Sequence, residues 1–287
     1  MSEAHEDSAG ASEPGVDGPG THRQEKPSTF LFFHAHPDDE SIATAGTMAR
    51  AKAEGHRVVL VLATKGEHGE VDDGFLDDGE TLADRRVKET HASAAVLGVD
   101  VVEFLGYVDS GMMGTLENDL AGSFWSADVD EAAERLAALL RREGVDVLTV
   151  YDSHGNYGHP DHIQVHRVGV RAAELAGVEH VYEATQNRDQ IRQWMRMAAE
   201  AGEQPEEAPD VDAMDLGVPA DQITHEIDVS AFVDLKRRSM QAHASQISDS
   251  AFFLALPQER FRESFGVEWY IRHGAALPVQ EYGRTLL

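Results

Sequence analysis

"TFLFFHAHPDDESIATAGTMARAKAEGHRVVLVLAT", residues 29–64, reads as a strand, a turn, a helix and a second strand. "TFLFFHA" (29–35) is apolar and aromatic. "SIATAGTMARAKAEG" (41–55) reads as a helix with Ser41 as its N-cap, and "RVVLVLAT" (57–64) is a continuous apolar run of the kind buried on both faces. Between them, "HAHPDDE" (34–40) puts two histidines and three carboxylates at the end of a buried strand. Charges are costly to bury unless they are paired or bind a metal, so this stretch needs a chemical explanation.

The alternation continues outward. Helix is expected over 81–98, strand over 99–106, helix over 128–144, strand over 145–152, helix over 162–177, strand over 179–185 and helix over 188–202. "EQPEEAPDVDAMDLGVPADQ" (203–222) interrupts the pattern and reads as an acidic surface loop. A strand over 223–229, a helix over 232–247 and a late strand over 267–274 follow. This order implies an α/β fold, Rossmann-like, with a mostly parallel sheet covered by helices on both faces. No GxGxxG follows the first strand, which excludes the dinucleotide reading of such a sheet.

Composition narrows the chemistry. The 287 residues are 41% hydrophobic and 7% aromatic, ordinary values for a soluble globular protein. There is no cysteine, so disulfides, thiolate zinc sites and a catalytic thiol are excluded, and any metal must be held by His, Asp or Glu. The net charge is −28, a surface that repels nucleic acid and anionic lipid. Residues 1–27 carry six acids and two bases among Gly, Ser, Glu and Pro, and are expected to form a disordered tail. The N-terminus has neither the basic nor the apolar region of a signal peptide, and the longest apolar run, "VVLVLA", is too short to span a bilayer. The expected location is cytoplasmic, with no membrane span.

Ligands of open α/β sheets bind beyond the carboxyl ends of the strands. There the first strand runs into "HAHPDDES", the second into "TKGEHGE", and the strand over 145–152 into "SHGNYGHPDHIQVH". His36, Asp38 and Asp39 face His159, Asp161 and His162 if the first and last of these strands are neighbours. Two histidines and a carboxylate with open positions match catalytic zinc and also the facial triad of non-heme iron(II). Of two adjacent carboxylates, one can ligate while the other takes a proton from metal-bound water. His162 and His166 at i, i+4 are a rival pair, although Ile163 breaks the H-E-x-x-H signature. His34 is expected to hydrogen-bond locally. His91, His225 and His243 are single histidines with structural or solvated roles.

With "AHPDDE" (35–40), "GHPDH" (158–162), "DSGMMGT" (109–115) and "YDSHGNYGHPDH" (151–162), the chain resembles the PIG-L/LmbE-like zinc-dependent N-deacetylases. That family includes the deacetylase of N-acetylglucosaminyl-phosphatidylinositol and the actinobacterial enzymes of mycothiol metabolism. The resemblance covers roughly residues 29–185, and the C-terminal third more loosely. It implies a single deacetylase domain over 28–287 after the tail. It implies His36, Asp39 and His162 as zinc ligands and Asp38 as the general base. His159 becomes the acid that protonates the leaving amine or the group that stabilises the oxyanion. Tyr157 helps to polarise the carbonyl, and Asp161 orients a catalytic histidine. Arg86 and Asp109 would contact sugar and inositol hydroxyls, Arg86 having the alternative of a solvated helix residue paired with Glu89 or Thr90. At position 43 the mycothiol conjugate amidases carry lysine and the biosynthetic deacetylases serine; Ala43 matches neither and counts against a mycothiol role.

The resulting expectation is a Zn2+-dependent (or Fe2+-dependent) hydrolase that removes an acyl group, acetyl in the first instance, from the amide nitrogen of an N-acylated sugar conjugate. The chain leaves room for a homo-oligomer. An iron(II) oxygenase on the same face would depend on oxygen and leave Asp38 without a role. A non-catalytic metal-dependent binding module would leave Asp38, His159 and Tyr157 surplus.

Overall fold

The computed structural model describes residues 27–201, 215–248 and 253–287, together with Met1 and Ala251. The expected tail over 1–27 lies, but for its ends, outside the described residues, as does most of the acidic loop over 203–222. In chain order the first elements are β1 (Thr29–His34), α1 (Asp39–Ala43), α2 (Ala45–Ala53), β2 (Arg57–Leu62), α3 (Leu82–Leu97), β3 (Val101–Phe104) and α4 (Val129–Glu143). The chain continues through β4 (Val147–Tyr151), α5 (Gly155–Gly158), α6 (Pro160–Ala176), β5 (His180–Thr185) and α7 (Arg188–Ala201). It ends with β6 (His225–Asp228), α8 (Val233–Ala242), α9 (Gln258–Phe265) and β7 (Val267–Arg272).

The seven strands form one sheet in the order β3-β2-β1-β4-β5-β7-β6. The first five run parallel; β7 is antiparallel to β5 and to β6. The chain winds outward from β1 to β3 on one side, then returns to lay β4 against β1, pairing Phe30 with Val147 and Phe32 with Thr149. The direction of winding therefore reverses between β1 and β4, the point where loops diverge and leave a crevice. The two strands that carry the HPD motifs are the two that flank it.

Alternation along β1 feeds both faces, because successive side chains point to opposite sides. Leu31 and Phe33 pack with Leu136 and Leu140 of α4 and Val165, Val168 and Ala172 of α6. Phe30 and Phe32 pack with Met48 of α2 and Leu97 of α3. A fully buried Phe or Leu contributes ~1.5–3 kcal/mol. Among the described residues no helix is long and apolar enough to cross a membrane.

Three local expectations need correction. Ser41 is not an N-cap: the helix begins at Asp39, with Asp38 as the preceding residue, and Ser41 Oγ donates to the Asp38 carbonyl at 2.7 Å. The helix expected over 41–55 breaks at Thr44 (φ −136°), whose hydroxyl bonds buried His34 at 2.8 Å. The helix expected over 232–247 ends at Ala242, because His243 turns inward to a buried carboxylate. Helix α9 was not anticipated.

Candidate metal and catalytic centre

The turn after β1 is held from beneath. Arg86 of α3 donates to the carbonyls of Pro37 and Gly66 and lies 3.4 Å from an Asp38 carboxylate oxygen. It is 4% exposed, which excludes the solvated alternative. Gly66 (φ 66°) makes this seat accessible: a Cβ there would stand 2.2 Å from Arg86 Nη1. Asp38 adopts φ 104°, ψ −29°, a conformation non-glycine residues rarely take. Its N–H donates to Glu40 Oε2 at 3.1 Å.

The turn after β4 is equally constrained. Asn156 has φ 65°, ψ −52°; its N–H donates to Asp152 and its carbonyl accepts from the Gly217 N–H. Tyr157 follows at the mouth of the crevice, 42% exposed. His159 then caps α6, its Nδ1 accepting the N–H of Asp161 at 3.1 Å, with Pro160 in the first turn. The helix therefore starts before His162 and carries that residue inward on its first turn.

These two turns bring His36, Asp39, His159 and His162 together. Asp39 spans the two histidines: Oδ2 is 3.4 Å from His36 Nδ1, and Oδ1 is 3.4 Å from His162 Nε2. The nitrogens of His36, His159 and His162 lie within 4.8 Å of one another, as do donor atoms of His36, Asp109 and Asp161. Neither nitrogen of His162 has a hydrogen-bond partner although the ring is buried. A buried imidazole left without partners beside a carboxylate and a second imidazole is a donor set that fits a divalent cation.

Surrounding groups orient this set. His36 Nε2 meets Asp161 Oδ2 at 3.1 Å and Asp109 Oδ1 at 3.5 Å, leaving Nδ1 toward Asp39. Carboxylates commonly hold the far nitrogen of a metal-binding histidine in this way. The Asp161 carboxylate thus contacts His36, and only its backbone reaches His159. Asp161 also accepts the Ser110 N–H at 2.9 Å, and Asp109 accepts those of His68 and Gly111. His34 bonds Tyr151 Oη at 2.7 Å as well as Thr44.

The electrostatics separate the carboxylates. Burial pushes the Asp38 carboxyl up to about 6, with Arg86 opposing and Asp39 reinforcing. Burial would also raise Asp39, but His162 and His36 hold it well below the usual carboxylate range. Burial opposes charge on His36, yet hydrogen bonds to Asp109, Asp161 and Asp39 outweigh it and raise its pKa. His159 is pushed down to about 3 by burial and by His36 and His162, so it is neutral at pH 7.

His166 does not join the cluster; its Nδ1 donates to the Tyr151 carbonyl at 3.0 Å. His91 is exposed, His225 bonds Thr224, and His243 is buried against Glu40. Four contributors went unnoticed in the sequence reading: Glu40, Ser110, Tyr151 and the partnered His243. For Glu40 a signal existed, a third acid directly after Asp38 and Asp39.

Residues 31–173 match the PIG-L family, described as GlcNAc-PI de-N-acetylase. The chain is 42% identical over 264 residues to a 1D-myo-inositol 2-acetamido-2-deoxy-alpha-D-glucopyranoside deacetylase of Acidothermus cellulolyticus, covering 87% of this chain and 90% of that one. It is 43% identical over 263 residues to the protein of the same name from Streptomyces griseus, covering 84% and 82%. In structure it resembles N,N'-diacetylchitobiose deacetylase from Pyrococcus horikoshii (TM-score 0.56, 22% identity, 88% and 85% covered). It also resembles a 4-carboxy-2-hydroxymuconate hydratase from Pseudomonas putida (TM-score 0.57, 19% identity, 89% and 99% covered). One fold thus carries both a deacetylase and a hydratase, so the fold alone does not decide the chemistry.

Proposed function

Because the chain belongs to the PIG-L family of de-N-acetylases, we propose that it hydrolyses the acetamide of an N-acetylglucosamine joined to an inositol. The identity to deacetylases of that substrate over most of both chains carries this reading, and it outweighs the single departure at Ala43. Neither the oxygenase nor the binding-module alternative is favoured by an observation of the site.

His36, Asp39 and His162 would hold the ion, zinc in this reading. When bound it supplies the Lewis acidity that polarises an amide carbonyl and acidifies water. Asp38 is the base. Its raised pKa places it near the working pH, where a general base is most effective. As water adds to the carbonyl carbon, its proton passes to the Asp38 carboxylate. When the carbon–nitrogen bond breaks, that proton passes to the leaving nitrogen, giving the amine and acetic acid, which ionises to acetate in water. Asp38 begins and ends the cycle ionised.

His159 serves as a neutral donor. Its Nδ1 is occupied by the Asp161 N–H, so the ring proton sits on Nε2, available to the carbonyl oxygen as charge develops there. Of the two roles expected for this residue, the geometry favours oxyanion stabilisation over protonation of the amine. Tyr157, a phenol at the mouth, is a second donor to the same oxygen. Asp109 and Asp161 orient His36, and Arg86 fixes the turn that bears Asp38. Arg86 is committed to backbone carbonyls and Asp109 to His36 and the N–H groups of His68 and Gly111, so in this reading both act first by holding the site and a hydroxyl contact would be additional.

The test is release of free amine from N-acetylglucosaminyl-inositol by purified protein, with and without chelator. No amine in the metal-loaded protein would sink this reading.

A further inference from the structure

The peptide unit joining Pro37 to Asp38 is gripped at both ends. Arg86 donates to its oxygen, and its N–H donates to Glu40 Oε2 at 3.1 Å. This matters because Asp38 sits at φ 104°. Rotating that one peptide unit would return Asp38 to a common φ and change which side-chain rotamers are favoured there, so the carboxylate is no longer held in its present direction.

Glu40 can hold the nitrogen end only if its other oxygen is satisfied elsewhere. It is fully buried, and Oε1 accepts from His243 Nε2 at 2.6 Å and from Ser93 Oγ at 2.6 Å. Ser93 is backed by Ser239 at 2.7 Å. The turn carrying His243 is tied to α3 by Ser245, whose N–H and hydroxyl donate to Glu89 at 2.9 and 2.6 Å. So α3 provides Arg86 and Ser93, and α8 with its following turn provides Ser239 and His243. His243 is itself wholly buried and lies 203 residues from Glu40 in sequence.

We propose that His243 is a positioning residue for Asp38, acting through Glu40 to hold the Pro37–Asp38 peptide in its strained orientation. The proposal rests on the reading of Asp38 as the base. Removing the His243 donor leaves a buried carboxylate short of a partner, which must reorient to find another. That reorientation releases the Asp38 N–H, and the peptide unit can turn.

The test compares His243→Leu, His243→Gln and Glu40→Gln with the parent protein and with Asp38→Ala. The readouts are bound zinc per chain, melting temperature, kcat and KM for N-acetylglucosaminyl-inositol, and a crystal structure of His243→Leu. His243→Leu should keep its zinc and its KM while kcat falls ~10–100-fold, the usual cost of losing an outer-shell partner. His243→Gln, which retains a donor, should recover most of kcat. The crystal structure should show the Pro37–Asp38 peptide turned and Asp38 at negative φ. If His243→Leu fails to fold, Glu40→Gln carries the test, because it keeps shape but sets a donor against a donor; it should lose kcat and keep zinc. Unchanged kcat in the folded variants, an unmoved peptide, or equal losses in His243→Leu and His243→Gln that track melting temperature would overturn the proposal. Full activity in Asp38→Ala would instead remove the reading of Asp38 as base, and the crystal structure would then decide the peptide hold on its own.

Discussion

The rings of Tyr151 and His162 lie face to face, 4.3 Å between centroids and 14° between planes. Tyr151 is anchored in turn by His34, and His34 by Thr44. A chain of buried side chains therefore fixes the plane of an imidazole that has no hydrogen bond of its own. Tyr151→Leu should weaken zinc affinity by ~10–100-fold, as outer-shell losses do, while Tyr151→Phe keeps the stack and stays near the parent value. Competition with a chromogenic chelator measures both. Equal affinity in the Leu variant would show that the stack does not orient the ligand.

Ala at His36, Asp39 or His162 should abolish stoichiometric zinc after dialysis, and Ala at His159 or His166 should not. His166 is spent on the Tyr151 carbonyl, and His159 on the cap of α6. Metal analysis of the five variants separates the set containing Asp39 from the three-histidine set. Zinc retained in Asp39→Ala but lost in His159→Ala would select the latter.

Asp38→Asn should keep zinc and lose ~10²–10⁴-fold in turnover, the range for a lost general base. The pH profile follows from the raised carboxyl. Below about 6 Asp38 is protonated and cannot accept a proton; above it the carboxylate is free. The rate should rise with pH through that value, with the limb absent in Asp38→Asn. A parent profile already flat down to pH 4 would place the base elsewhere.

His159→Gln retains a side-chain N–H and should keep more activity than His159→Ala, which should fall ~10²–10³-fold, the range for one lost oxyanion donor. His159→Asn should regain the helix cap, worth ~1 kcal/mol, without regaining activity, because the shorter side chain caps but does not reach. Melting temperature and kcat together check this. A basic limb that vanishes in His159→Ala would restore the imidazolium acid.

The sequence by itself determined the α/β class, the strands and helices over most of the chain and the two HPD turns. Periodicity, apolar runs and turn residues are local signals, so β1 through β5 and their helices could be read from short windows. Membership of the cluster was legible for His36, Asp38, Asp39, His159, Asp161 and His162 because they crowd into two short motifs. The tertiary structure decided which groups those residues answer to. Only the pairing of β1 with β4 brings the motifs to one crevice. The antiparallel placement of β6 and β7 depends on contacts made late in the chain, and no local window contains them. Arg86 reads as a contact to substrate hydroxyls or a solvated helix residue, Glu40 as one more acid of its motif and His243 as a single structural or solvated histidine, since the role of a buried charge is recognisable only by the partners that surround it. Likewise His159 looks like an acid in a motif, whereas burial and two neighbouring imidazoles hold its pKa down and a backbone N–H occupies its Nδ1.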